Sequence, residues 1–188
     1  SFLNSYYETG LKSPLDEAIL KFKEIDVKGY KKLDEVPFDF IRRRVSVVVG
    51  FERQQFLIAK GAPEEIIKVC SYCEVADNIF GLTGELHRKI EQKYYDLSSQ
   101  GFRVLGVSYK KVGEEKLAYS INDESDMVFL GFVAFLDPPK VTAKESLQLA
   151  GKYGVELKIL TGDNELVTRK TCEQLGFEIK DVVLGSEI

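Results

Sequence analysis

Four short stretches carry residue types whose spacing could do chemistry. In Phe38-Asp39-Phe40-Ile41-Arg42-Arg43-Arg44-Val45-Ser46-Val47 an aromatic precedes three arginines that lead into a β-rich run. An aromatic face can stack on a base, and a guanidinium can fork onto phosphate oxygens; a solvated basic edge guarding a strand would look the same. Lys60-Gly61-Ala62-Pro63 joins a strand to a helix. Gly61 and Ala62 leave room for a ligand near the backbone and Lys60 adds a point charge, although a plain turn with Pro63 at the helix start has the same form. Gly101-Phe102-Arg103-Val104-Leu105 ends a helix and opens a strand with an arginine, which as a surface residue would be unremarked. Thr161-Gly162-Asp163 stands between a strand and a helix, the position where open α/β sheets bind ligands and also where a helix N-cap belongs.

Other chemistries lack their parts. The sequence has no G-x-x-x-x-G-K-[ST], G-x-G-x-x-G or G-x-S-x-G, so a Walker-type NTPase, a Rossmann cofactor site and a nucleophile elbow are not expected. Cys70-Ser71-Tyr72-Cys73 is a CxxC, but only Cys172 and His87 remain to complete a zinc site. The pair also falls at the end of an expected helical stretch rather than at a helix start. The cysteines therefore read as core thiols in a reducing compartment.

The elements that must position these residues can be read from periodicity. Ser13 is expected to cap a helix with Pro14 at its first position and Asp16 completing a capping box. Leu15, Ala18, Ile19 and Phe22 then share a face, and Gly29 lies in the break that follows. Residues 44–60 read as an antiparallel hairpin turning at Glu52-Arg53-Gln54. Pro63 opens a short helix carrying Ile66, Ile67 and Cys70. Thr83 caps a longer one, with Leu86, Ile90, Tyr94 and Leu97 on one face and Gly101 at its end. Phe102–Val112 and Met127–Phe135 are strands, joined by a charged, loop-like linker at 113–126. Beyond Asp137-Pro138-Pro139 the pattern becomes helix, strand, helix, strand. It comprises a capping box at Thr142-Ala143-Lys144-Glu145 with a stop at Gly154, a strand at Val155–Leu160, a helix at Glu165–Leu175 closed by Gly176, and a strand at Val182–Leu184. Such alternation implies part of a parallel α/β sheet.

Composition sets the outer limits. The 188 residues are 44% hydrophobic and 30% charged, with a net charge of -4. That is an ordinary globular balance, and nothing in it suggests a nucleic-acid binder, whose first requirement is a basic face. The longest apolar run, Met127 to Leu136, is ten residues, whereas a membrane span needs roughly 20. The opening Ser1-Phe2-Leu3, without an initiator methionine, is expected to be an internal stretch of a longer chain.

Taken together and in order, the motifs resemble the P-type ATPases over essentially the whole chain. The resemblance runs through Asn4-Ser5 with Gly10, Pro14-Leu15-Asp16 with Ala18, Phe38 to Val47, Lys60-Gly61-Ala62, Arg103-Val104-Leu105, Asp137-Pro138-Pro139 and Thr161-Gly162-Asp163. Within the family the chain looks most like the bacterial magnesium-translocating branch. That resemblance rests on Asn4 to Lys12, Phe38-Asp39-Phe40, Phe135 to Lys140 and Ile159 to Val167. A calcium or proton pump is the alternative. Val45 departs from the family's usual methionine, which should affect core contacts more than chemistry.

The resemblance implies an α+β fold. Residues 1–134 would form a nucleotide-binding domain, an antiparallel β-sheet flanked by helices. Residues 135–188 would be an incomplete parallel α/β, haloacid-dehalogenase-like piece of the phosphorylation domain. It implies ATP as ligand, with Mg2+ on its phosphates. Phe38 would stack on adenine and Asp16 would hold the base edge. Arg43 and Arg103 would lie near the phosphates, Lys60, Gly61 and Ala62 would form the pocket floor, and Leu105 would pack beside it. Asp163 and Thr161 would meet the terminal phosphate on domain closure, with Asp137 near the hinge. The phosphorylated aspartate and the Gly-Asp-Gly magnesium motif are expected outside these residues, so this stretch alone should bind nucleotide without turning it over and hold no metal of its own. Its expected partners are the phosphorylation, actuator and transmembrane domains of the same polypeptide, on the cytoplasmic side of the cell (inner) membrane. Two rivals differ in kind. A stand-alone haloacid-dehalogenase-like phosphatase would need an Asp-x-Asp nucleophile motif, which is not found. An interaction module would use Arg42 to Arg44 on an acidic partner.

Overall fold

β2 (Arg44–Phe51) places four valines among eight residues, and β-branched side chains favour the pleated backbone. It turns at Glu52, which takes a left-handed φ of 53°, into β3 (Gln54–Gly61), and the two strands pair without a slip from Arg44↔Gly61 to Phe51↔Gln54. The structure, a computed structural model, describes residues 1–10, 12–113, 116, 118–179 and 181–185. Leu11 and, in the charged linker, Glu114, Glu115 and Leu117 lie outside the described residues.

Around this hairpin the described residues form α1 (Phe2–Tyr7), α2 (Pro14–Phe22), β1 (Tyr30–Asp39), α3 (Pro63–Lys68), β4 (Cys70–Val75), β5 (Asn78–Gly81), α4 (Gly84–Ser99), β6 (Phe102–Val112), β7 (Met127–Leu136), α5 (Val141–Lys152) and α6 (Glu165–Leu175). The strands make one seven-stranded sheet in the order β1-β2-β3-β6-β7-β4-β5. It is mixed rather than antiparallel, because β4 pairs with β7 in parallel. The chain divides into two compact units, one of Ser1–Glu91 with Val104–Val133, the other of Gln92–Arg103 with the chain from Ala134 onward.

In the first unit the core is a cluster of Val48, Leu57, Ala59, Ile66, Ile67, Cys73, Met127 and Phe129, with Leu86 and Ile90 of α4 packed against it. Cys70 opens a strand rather than closing a helix, and Cys73 is buried in the core. Burial pushes the Cys70 thiol up to about 12, the opposite of what a reactive thiol needs. Two strand regions were not expected from sequence. β1 is rich in charge and contains Pro37, which a sheet edge tolerates. β4 and β5 turn at Ala76 and Asp77, both at positive φ, where Asn-Gly would have been the legible signal. The expected face of α2 also differs: Phe22 is 91% exposed and Ala18 is exposed, while Ile19 and the charged Asp16 are buried.

In the second unit α6 ends as expected at Gly176, in the left-handed region with φ 69°. α5 begins before the expected capping box, with Lys140 as N-cap and no side-chain cap, so Thr142 lies inside the helix. Neither Val155–Leu160 nor Val182–Leu184 forms a strand. The alternation of Val155, Leu157 and Ile159 and the apolar run Val182-Val183-Leu184 suit a sheet, but no described strand pairs alongside them, and an unpaired extended segment leaves its peptide groups to water.

Candidate nucleotide-binding site

Helix α1 is tied to both strands of the hairpin by Asn4. Asn4 is fully buried, and its amide donates to the carbonyl oxygens of Val45 (3.1 Å) and Ile58 (2.8 Å). Ser13 caps α2 as expected: its hydroxyl accepts from the Asp16 N–H at 3.2 Å, and the Asp16 carboxylate accepts from the Ser13 N–H at 3.2 Å. The same carboxylate accepts from Ser5 Oγ at 2.7 Å and from Lys60 Nζ. Lys60 Nζ donates further to Ser5 Oγ (2.9 Å) and Glu8 Oε2 (2.8 Å). Its three protons thus each have an acceptor, and Lys60 and Asp16 are only 4% and 3% exposed. Burial pushes the Asp16 carboxyl up, but the hydrogen bonds from Lys60, Ser13 and Ser5 outweigh it and hold the group below the ordinary aspartate range. For Glu8 burial wins over Lys60, and its carboxyl is raised.

Register brings Phe38 into line with this cluster. In β1, Val36 pairs with Ser46 and Asp39 with Arg44, so Pro37 and Phe38 together oppose the single Val45. This is a β-bulge, and it takes a proline that cannot donate to the ladder. Without the extra residue Phe38 would oppose Arg44, on the other face. Val45 pairs with Lys60, and Lys60 with Val107. Phe38, Val45, Lys60 and Val107 therefore form one row across four strands, with Phe38 two strand spacings, about 10 Å of backbone, from Lys60. Phe38 is 52% exposed and meets Phe40 edge to face at 5.4 Å between centroids. The next row holds Asp39, Arg44, Gly61 and Gly106. A Cβ at Gly61 would fall 2.4 Å from the Arg43 carbonyl oxygen and 2.6 Å from Arg44 Cα, so its missing side chain lets β2 approach closely. Ala62 donates its N–H to the same Arg43 oxygen at 2.9 Å and precedes α3. Leu105 lies one residue beyond Gly106 on β6 and is partly buried.

The three arginines do not share one acidic partner. Arg43 sits in the β1–β2 turn at φ 47°, and its guanidinium donates to Glu64 (2.8 Å) and Glu65 (3.3 Å) of α3. Arg42 and Arg44 converge instead on Glu124. Its side chain is fully buried and accepts from Arg42 Nη1 (2.7 and 2.8 Å), Arg44 Nε (2.8 Å) and Ser46 Oγ (2.6 Å). Sequence reading missed Glu124 because it stands in a charged linker with nothing local to mark its partners.

In the second unit Arg103 donates to Asp163 Oδ2 at 2.7 Å and lies 3.7 Å from Asp137 Oδ2. The expected phosphate arginine and two of the expected aspartates are thus one ion-pair group. Thr161 Oγ1 accepts from the Asp163 N–H at 3.0 Å. The N-cap of α6 is Asn164 rather than Asp163, accepting from the Leu166 N–H at 2.8 Å. Among the described residues no group of three or more His, Cys, Asp or Glu side chains could hold a metal ion.

The chain thus sets a buried lysine–aspartate pair and an exposed aromatic along one sheet row. Comparison with known proteins gives it a family: residues 1–142 match the family described as P-type ATPase, cytoplasmic domain N, and the chain belongs to that family. It is 41% identical over its full length to the magnesium-transporting ATPase, P-type 1, of Escherichia coli (strain K12), and 35% identical over its full length to one of that name in Salmonella typhimurium. It is 29% identical, over 77% of its length, to calcium-transporting ATPase 1 of Lactococcus lactis, of which it spans 16%. The chain spans 22% of the length of these magnesium-transporting relatives. Among the described residues no helix is long and apolar enough to cross a membrane.

Proposed function

We propose that this chain is the ATP-binding part of a magnesium-translocating P-type pump, presenting ATP to an aspartate outside these residues. The observation that carries the reading is the row joining an exposed Phe38 to the sealed Lys60–Asp16 pair. It offers a stacking face beside a rigid polar floor. In this reading Phe38 stacks on adenine, Lys60, Gly61 and Ala62 form the floor, and Leu105 lies beside them; Asp16, expected at the base edge, is 3% exposed with both carboxylate oxygens engaged by Ser5, Ser13 and Lys60, and acts by holding Lys60. Arg43 and Arg103 would exchange their carboxylate partners for phosphate oxygens, and Mg2+ would arrive with the nucleotide. Residues 1–134 act as the nucleotide-binding domain. Residues 135–188 begin a haloacid-dehalogenase-like phosphorylation domain in which Thr161, Asp163 and Asp137 assist. The partners are the phosphorylation, actuator and transmembrane domains of the same polypeptide, with this part on the cytoplasmic side of the cell membrane. Magnesium as cargo is supported by the identities of 35–41% to magnesium-transporting relatives, above the 29% to a calcium-transporting one.

Titration with ATP, then AMP, then GTP, followed by NMR or calorimetry, tests this. The expected Kd for ATP is between about 10 µM and 1 mM, with shifts at Phe38, and Phe38→Ala should cost about 1–3 kcal/mol of ATP binding. Equal affinity for GTP and ATP, or a Phe38→Ala variant that binds as well, would remove the base-stacking role.

A further inference from the structure

Of the five N–H donors on Arg42, those that reach toward Phe38 take hold of both of its neighbours. Nη2 donates to the Pro37 carbonyl oxygen, and Nε donates to the Asp39 carboxylate. Pro37 and Phe38 are the two bulge residues, so one planar guanidinium spans the bulge from either side. Asp39 is itself shaped by the turn, accepting from the N–H groups of Ile41 (2.7 Å) and Arg42 (2.9 Å). At its other edge Arg42 Nη1 donates to both oxygens of Glu124, at 2.7 and 2.8 Å. Glu124 is locked in turn by Arg44 and Ser46 of β2. The chain of contacts therefore runs from a fully buried carboxylate, through one guanidinium, to the Pro37 carbonyl on one side of a half-exposed aromatic and the Asp39 carboxylate on the other.

We propose that Arg42, anchored on Glu124, is a positioning residue that holds Phe38 on the Lys60 face of the sheet for stacking against a nucleobase. The inference rests on the nucleotide-binding reading above. A planar guanidinium is required: Arg42 spreads four hydrogen bonds over three nitrogens, two to Glu124 and one each to Asp39 and the Pro37 carbonyl, whereas a lysine carries its three donors on a single nitrogen. Arg42 acts on the base without touching it, so its effect must pass through Phe38.

The test is a double-mutant cycle on the whole chain between Arg42→Lys and Phe38→Ala, read by titration with ATP, adenosine and inorganic tripolyphosphate, with the Phe38 ring resonances followed by NMR. Arg42→Lys is expected to weaken ATP and adenosine by a similar factor of about ten, to leave tripolyphosphate unchanged, and to broaden or shift the Phe38 ring signals before ligand is added. In the Phe38→Ala background it should cost nothing further, because coupled residues are non-additive. Losses that simply multiply, or a selective loss of tripolyphosphate affinity, would overturn the proposal and make Arg42 a phosphate contact. If Arg42→Lys fails to fold, Asp39→Ala removes the outer end of the clamp and leaves Arg42 on Glu124. A smaller loss confined to the adenosine-dependent part is expected, and unchanged affinity for adenosine would overturn the proposal. The two levels separate cleanly. Absence of ATP binding by the unmutated chain defeats the nucleotide reading, whereas Phe38-dependent binding that ignores Arg42 defeats only the clamp.

Discussion

Lys60 and Arg103 each pair with two carboxyl groups, yet they do so in opposite surroundings. Lys60 is 4% exposed and its three donors are consumed by Asp16, Glu8 and Ser5. Arg103 keeps 39% of its side chain exposed, holding Asp163 closely and Asp137 at 3.7 Å. The difference separates scaffold from reach. A charge sealed with its partners cannot leave them without stranding an ion in the interior. A surface ion pair costs little to break and can trade a carboxylate for a phosphate. The ionic cluster of the first unit therefore resists separation, and that of the second opens at little cost.

The contrast is broken most severely at Lys60. Lys60→Met strands Asp16 and Glu8 in the interior and should cost about 3–5 kcal/mol of stability in chemical denaturation; a loss under 1 kcal/mol would mean that the cluster is solvated. Asp16→Asn should cost about 3 kcal/mol for the same reason, and it also sharpens the comparison through pH. The Asp16 carboxyl is held below its ordinary value, so its contribution is complete above about pH 4 and is lost as pH falls through the lowered folded value. Glu8, raised by burial, works in reverse: its contribution is complete at low pH and declines as pH rises through its folded value. The variant should flatten the acid limb of the stability–pH curve, and an unchanged limb would assign that limb to other carboxylates.

Gly61→Ala probes the approach of β2 and β3 in the row beside Lys60. The new Cβ would fall 2.4 Å from a backbone oxygen, and forced separation of the strands should cost about 1–3 kcal/mol, read as a lower Tm. Retention of the native Tm would show that the hairpin end can part freely. The smallest effect is expected at Arg103. Arg103→Ala should change stability by less than about 1 kcal/mol while weakening ATP more than AMP, with the difference shrinking as salt rises. Equal losses for ATP and AMP would place Arg103 away from the outer phosphates.

Much of the hairpin and the helix ends was legible because local chemistry decides them. Ser13 and Asp16 cap α2, Gly176 closes α6, and the β-branched run of β2 favours a strand. The site was legible only as separate stretches. Nothing near Asp16 in sequence announces Lys60, 44 residues away in the chain, and nothing near Glu124 announces Arg42 and Arg44. The face of α2 was misread because apolar periodicity marks Ala18 and Phe22, whereas a buried lysine on β3 draws the carboxylate inward. The strands expected at 155–160 and 182–184 fail for a different reason. Strand formation is a property of a pair, and residue type supplies only half of it.

One consequence concerns chain length. β1 uses ten residues alongside the eight of β2, with slips at Lys32/Asp34 and Val36/Asp39. The edge strand thus carries slack, while β2 and β3 match residue for residue. A chain shortened by one residue near Leu33 could surrender that bulge and keep its ladder, leaving the second bulge, and the aromatic it turns, undisturbed. Loss of one residue from β2 has no such reserve to draw on. Insertions and deletions in this sheet should accordingly be absorbed at its β1 margin, and at the end of that margin away from Phe38.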